Sequence, residues 1–189
     1  VLHVLKTELI LPEQPKEVFF YGSGVTEAMK PRMKSLLQQA FPEADVEAES
    51  DMIGAARALF GKNPGIACIL GTGANSCLYD GSRIVMNTPP LGYILGDEGS
   101  GAVLGRLFLN GIFKGTLPAT LKEKYLSWSG LDYPAIINKV YREPLANRYL
   151  ASICPFISLQ IAEGEKHENG TDELNEAMAL YRMVLGSFN

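Results

Sequence analysis

Three short stretches of this 189-residue chain carry residues whose types and spacing could do chemistry. The first is Asp51, at the start of the helical pattern "SDMIGAARALFG" (50–61). A carboxylate there either compensates the positive end of a helix dipole or, aimed into a cleft, takes a proton from a substrate hydroxyl. The second is "LGTGANS" (70–76), a glycine turn between two strands. Gly71 and Gly73 let backbone approach a ligand closely, so main-chain N–H groups can point at an anion such as a phosphate. Thr72 adds a hydroxyl and Asn75 an amide. The stretch lacks the GxxxxGK[ST] of a P-loop and the GxGxxG of a dinucleotide site, and an ordinary hairpin turn is the plainer account of it. The third is "LGYILGDEGSG" (91–101). Glu98 opens a helical pattern, where its charge suits the helix start. Asp97 follows Gly96 and the apolar run 91–95, which predicts an enclosed carboxylate. Such a group needs donors, either the hydroxyls of a sugar or backbone N–H groups. Gly96, Gly99 and Gly101 read as room for backbone to approach a ligand and the next helix.

Other chemistries are disfavoured by what surrounds these stretches. The chain is 47% hydrophobic and 20% charged, ordinary for a soluble globular protein. Its formal net charge of −4 and scattered basic residues do not favour a nucleic-acid partner. No apolar run is long enough to span a membrane, and the start does not read as a signal peptide. Cys68, Cys77 and Cys154 are widely spaced and form no CxxC, which speaks against zinc and a disulfide framework and for a reducing, cytoplasmic setting. No metal ligands are assigned. His3 and His167 have no ligand-like neighbours, and His167 reads as part of a solvated loop. Tyr125, Trp128 and Tyr133 read as packing residues. No GxSxG marks a serine hydrolase.

The elements that must position these residues follow from periodicity. "EVFFYGSG" (17–24) reads as a buried strand running into a glycine turn. "TEAMKPRMKSLLQQAF" (26–41) reads as a helix capped by Thr26, with Met29, Met33, Leu36, Leu37 and Ala40 on one face. "ADVEAE" (44–49) alternates as a short strand, and the helix 50–61 is capped by Ser50 or Asp51 and stopped by Gly61. This order predicts an α/β fold. "GIACILGTGANSCLYDGSRIVMNT" (65–88) reads as a three-stranded antiparallel meander. "EGSGAVLGRLFLNGIFKG" (98–115) is helical, and from about residue 117 the chain is mostly helix, broken by the polar loop "EGEKHENGTDE" (163–173). Turn residues at Lys62-Asn63-Pro64-Gly65 predict a boundary between a lobe 1–62 and a lobe 63–189. Both ends look cut: the chain starts at Val1, and it stops at "MVLGSFN" partway through an apolar run.

The order strand-"YGSG", "SDMIGAARAL", "CILGTGANS", "GYILGDEGSGAVLG" resembles the N-acetylglucosamine kinase and BadF/BadG/BcrA/BcrD-type ATPase family, over roughly residues 17 to 115. That family belongs to the actin-like, hexokinase-like superfamily. The resemblance implies an α/β, RNase H-like fold of two lobes around a nucleotide cleft, with mixed sheets flanked by helices, using ATP and Mg²⁺. It implies ATP phosphate contacts at Gly71, Thr72 and Gly73, and a catalytic base at Asp51. It places Asn75 near the sugar pocket, Gly92 as a backbone contact to the sugar, and Asp97 as the acceptor for sugar hydroxyls. Leu91 stands where relatives of known sugar specificity carry a tryptophan, so the pocket here can differ.

The family's N-terminal phosphate hairpin and its later adenosine loop are not found in the sequence, although "VLGSFN" (184–189) reads as an approach to the latter or as the start of a nearby strand. As part of a longer protein the chain is expected to belong to an amino-sugar kinase, for N-acetylglucosamine or a related hexosamine. As a whole molecule it is expected to lack kinase activity. Two alternatives stand beside this. One is an ATPase that activates a CoA-dehydratase or benzoyl-CoA-type reductase through an iron–sulfur cluster, a motif that Cys68 and Cys77, read as small buried strand residues, do not supply. The other is a sugar- or nucleotide-binding sensor without catalysis, against which Asp51 counts. The expected partners are a small sugar and ATP. Helices after residue 117 could also form a homodimer face, though nothing in their pattern requires it.

Overall fold

The computed structural model describes residues 13–167 and 171–188. The chain divides into two compact units, Val1–Cys68 with Ser76–Thr88, and Ile69–Asn75 with Pro89–Asn189. His3 lies outside the described residues.

In the first unit, β1 (Glu17–Gly22) and β2 (Asp45–Ser50) pair in parallel, in a register that sets Val18 beside Val46 and Phe20 beside Ala48. Parallel neighbours need a crossover, and α1 (Lys30–Ala40) supplies it. Leu37, Ala44, Val46 and Ala48 are buried together, with Val18, Phe20, Met33 and Phe41 against them. The expected start of α1 at Thr26 is corrected. Pro31 sits in the helix's first turn, where its missing N–H costs nothing, and residues 26–29 form a turn in which the Thr26 carbonyl, not its hydroxyl, accepts from Met29 and Lys30. Met29 is thereby left exposed. The second helix, α2 (Asp51–Phe60), follows β2 directly and packs on both strands.

The strands β3 (Gly65–Leu70), β4 (Ala74–Tyr79) and β5 (Ile84–Thr88) form one sheet in that order, with β4 and β5 antiparallel. Cys77 is buried there but Cys68 is exposed, so the reading of both as buried strand residues holds only for Cys77. Asp80 closes the β4–β5 turn, accepting from the Ser82 and Arg83 amides and the Ser82 hydroxyl, each at 2.8 Å.

The second unit is helical apart from the β3–β4 hairpin tip. It contains α3 (Gly92–Leu95), α4 (Gly101–Lys114), α5 (Ala119–Ser129), α6 (Tyr133–Tyr141), α7 (Ala146–Ala151), α8 (Cys154–Gly164) and α9 (Asp172–Gly186). Its core gathers Phe108, Ile112, Leu121, Tyr125, Ile136, Leu150, Phe156 and Leu180. Phe108, Tyr125 and Phe156 meet edge-on or tilted at 5.2–5.5 Å, an arrangement that suits the ring quadrupoles. Burial and the Tyr149 hydroxyl push the Tyr125 phenol well above its ordinary range. Trp128 and Tyr133 are about half exposed, so only Tyr125 of the three aromatics is fully a core residue. Helix α8 runs on to Gly164 and α9 starts at Asp172, which shortens the expected polar loop; His167 lies exposed between them. Of the two readings of 184–189, the start of a strand is corrected, because Val184, Leu185 and Gly186 continue α9. No described helix is long and apolar enough to cross a membrane.

Candidate functional site

The hairpin tip and the segment 90–102, both in the second unit, come together through three hydrogen bonds. Helix α4 begins at Gly101 because Ser100 caps it, its hydroxyl accepting from Val103 N at 3.3 Å. Two amides of the opening turn then donate to the hairpin: Gly101 N to Gly71 O at 2.8 Å and Ala102 N to Thr72 O at 3.1 Å. Across the tip, Gly71 N donates to Gly73 O at 2.9 Å. The Asp97 carboxylate accepts from Ala74 N at 3.2 Å. The hairpin carbonyls therefore turn toward α4. The Thr72 and Gly73 amides keep no acceptor among the described residues. Two adjacent N–H groups with no acceptor among the described residues, at a tip where Gly71 and Thr72 are exposed, suit a phosphate.

Asp97 is 9% exposed. Its donor is the backbone N–H of Ala74, one of the two kinds of partner the sequence leaves open. The reason for its enclosure differs from the one expected. The preceding run is itself open to solvent, with Leu91, Ile94 and Leu95 exposed at 63%, 67% and 75%. Asp97 is enclosed because the hairpin lies on it: a Cβ placed on Gly73 would sit 3.0 Å from Asp97 Oδ2. Leu91 and Asp97 both adopt left-handed backbone, at φ 59° and 54°, uncommon for residues with a side chain. Between them Gly92 opens the one-turn helix α3, with open space around its Cα. Asp97 N donates to Pro90 O, and Ser100 N donates to Asp97 O, each at 2.9 Å.

Glu98 is not the start of a helix. It is exposed and sits before the Ser100 cap, and the first turn of α4 holds no acidic residue. Gly96 and Gly101 give room for the protein's own backbone, against Pro90 O and Gly71 O respectively. The residues that sequence reasoning missed are Ser100 and Ala74. A Ser-Gly-Ala opening to a periodic run is a readable cap, whereas nothing in the sequence marks Ala74 N as the donor to Asp97. Asn75, half-buried at the start of β4, is engaged by other groups. Behind the hairpin the Cys154 thiol donates to Gly101 O at 3.6 Å, and burial raises its pKa.

Asp51 belongs to the first unit. It is the first residue of α2, half-buried, and its Oδ1 accepts from its own neighbour Met52 N at 2.9 Å, while Ser50 caps the helix by accepting from Ile53 N. One carboxylate oxygen thus takes the dipole-compensating role, and the second oxygen is the one that can serve as a base. Among the described residues no three His, Cys, Asp or Glu side chains lie together as metal ligands.

A chain from Porphyromonas gingivalis, provisionally named N-acetylglucosamine kinase, matches at 48% identity and a TM-score of 0.82, over 92% of this chain and 56% of its own length. A chain from Chromobacterium violaceum with the same provisional name matches at 24% identity and a TM-score of 0.62, over 92% of this chain and 59% of its own; it bears on the fold alone. The chain thus spans little more than half the length of either. No family model and no curated protein matches it.

Proposed function

We propose, on the premise that the chain belongs by sequence and fold to the N-acetylglucosamine kinase family of the structures it matches, that the whole protein is an ATP-dependent kinase of N-acetylglucosamine or a related hexosamine. The observation that carries the reading is the hairpin 71–74. It offers an anion two amides that have no acceptor among the described residues, and it is bonded to a carboxylate suited to hydroxyl donors. Gly71, Thr72 and Gly73 would hold the ATP phosphates. Asn75, Leu91, Gly92 and Asp97 would border the sugar, Asp97 accepting from its hydroxyls. Asp51 would take the proton of the attacking hydroxyl as that oxygen bonds to the γ-phosphorus and ADP leaves with the electrons of the broken P–O bond. Phosphoryl transfer depends on positioning and charge neutralisation, which these groups supply in part, and Mg²⁺ would neutralise phosphate charge when bound. The fold we infer for the whole is RNase H-like, with two lobes closing to exclude water so that sugar rather than solvent is phosphorylated. We place the protein in the cytoplasm. A homodimer through the helices after residue 117 is open to sizing of the full-length protein.

The test is transfer from [γ-³²P]ATP to a panel of hexoses and hexosamines by the full-length protein with Mg²⁺. Label on an amino sugar supports the reading. ATP hydrolysis that needs an iron–sulfur partner and labels no sugar refutes it. Asp51→Asn should lower kcat by about two to four powers of ten, the range for loss of a general base. Turnover near wild type would remove Asp51 from that role.

A further inference from the structure

We propose that Asp97 is also the positioning residue of the hairpin 71–74, so that one carboxylate joins the phosphate and sugar subsites; this rests on the kinase reading above. A turn with glycine at 71 and 73 carries little side-chain mass to hold it in place. Three bonds from the segment 97–102 do so instead. Two are main-chain bonds from the start of α4 to Gly71 O and Thr72 O, which no substitution at a side chain removes directly. The third, from Ala74 N to Asp97 Oδ1, is the one that a side chain makes. It engages the last amide of the tip, while the Thr72 and Gly73 amides keep no acceptor among the described residues. Gly73 also packs against the same carboxylate: a Cβ placed on it would sit 3.0 Å from Asp97 Oδ2. Asp97 is itself pinned, in left-handed backbone, by its bonds with Pro90 O and Ser100 N. The hairpin therefore takes part of its position from Asp97, beside the two main-chain bonds from Gly101 and Ala102.

A sugar hydroxyl donating to this carboxylate acts on the group that sets the phosphate amides. Coupling between two ligands is reciprocal, so bound sugar must change nucleotide affinity by the factor by which nucleotide changes sugar affinity. A residue that only contacted the sugar would leave nucleotide binding alone when no sugar is present.

The experiment measures ATP affinity of the full-length protein by calorimetry without sugar, for wild type, Asp97→Asn and Asp97→Ala, with hydrogen exchange at the Ala74 amide read in parallel. Asparagine keeps an oxygen for Ala74 N, so Asp97→Asn should bind ATP within about threefold of wild type while losing sugar affinity, since it gives up the charge that strengthens a bond but keeps the acceptor. Asp97→Ala should bind ATP about tenfold more weakly, the loss of one charge-assisted bond to an amide, and its Ala74 amide should exchange faster. Wild-type ATP affinity and exchange in Asp97→Ala overturn the inference and leave the kinase reading standing. Wild-type protein that binds no ATP at all overturns the kinase reading, and the inference with it. If Asp97→Ala does not fold, Gly73→Ala tests the same contact: its methyl crowds Oδ2, so sugar affinity should fall although residue 73 does not touch the sugar. Unchanged sugar affinity in that variant refutes the coupling.

Discussion

Gly105→Ala should destabilise the second unit by about 2 kcal/mol, a net of two opposed effects. Gly105 faces the backbone of Leu150: a Cβ there would sit 2.0 Å from Leu150 O and 2.7 Å from Leu150 C, against the 3.4 Å at which ordinary contact begins, a shortfall of about 1.4 Å. The obstacle is a carbonyl at the end of α7 and not a flexible side-chain tip, so relief requires α4 and α7 to separate. Overpacking a close-fitted interface costs about 1–3 kcal/mol, and a clash with backbone belongs at the upper end of that range. Alanine is favoured over glycine inside a helix by about 1 kcal/mol, which offsets part of the cost. Gly186→Ala supplies the control, because Gly186 is helical, has open space around it and has no positive φ. That change should be neutral or stabilising by up to about 1 kcal/mol. Urea denaturation of both variants, followed by circular dichroism and intrinsic fluorescence, separates the two effects. Because α4 carries the hairpin on its first turn, Gly105→Ala should also weaken ATP binding, while Gly186→Ala should not. A Gly105→Ala protein at least as stable as wild type would refute the close approach of α4 and α7, and with it the account of how the hairpin is supported.

Ser100→Ala removes a fully buried cap and should cost about 1 kcal/mol. Fraying the first turn of α4 should raise KM for ATP more than it lowers kcat, and equal loss in both would argue against the link to the hairpin. The Asp80 carboxyl is held down to about 2 by the Arg83 and Ser82 amides and the Ser82 hydroxyl. Its folded pKa is below the unfolded value of about 3.9, so its contribution to the β4–β5 turn is complete above that value and disappears as pH falls through about 2. Carboxyl chemical shifts across an acid titration check this, and a midpoint near the unfolded value would refute the three-bond geometry. Of the three thiols, Cys68 is exposed, whereas burial holds Cys77 and Cys154 above their ordinary pKa. Ellman's reagent near pH 8 should label one thiol quickly and two slowly, with Cys68→Ser abolishing the fast phase.

The alternation of β2, the glycine break between β3 and β4 and the apolar face of α4 were legible, because the cause of each lies within a few residues, whereas β1, expected as a buried strand, alternates and leaves Phe19 and Tyr21 exposed. The starts of α1 and α4 were misplaced for a related reason. Several capable residues stand near each start, and local propensity does not choose among them: Thr26 yields to the turn that precedes Pro31, and Glu98 yields to Ser100. The exposure of Cys68 and Trp128 was not legible, since neither residue type nor period tells which side of an element the rest of the fold covers.

Asp97 shows why a correct expectation can rest on the wrong cause. The apolar run 91–95 pointed to an enclosed carboxylate, and the carboxylate is enclosed, yet all of that run but Tyr93 is exposed to solvent. The enclosure comes from Ala74 and Gly73, the former 23 residues earlier in the chain. A sequence pattern reports burial by neighbours at helical or strand spacing; it does not report a backbone that arrives from a distant turn. The residue that makes this arrival possible is Gly73, since any side chain there would meet Asp97 Oδ2 at about the position of its first carbon. The second glycine of the hairpin then has two duties that the sequence presents as one: freeing an amide for an anion, and letting the turn rest on the carboxylate that fixes it. Substitution at 73 is therefore expected to disturb both subsites together, and substitution at 71, where a Cβ would meet only Gly73 O at 4.0 Å, to disturb the phosphate side alone.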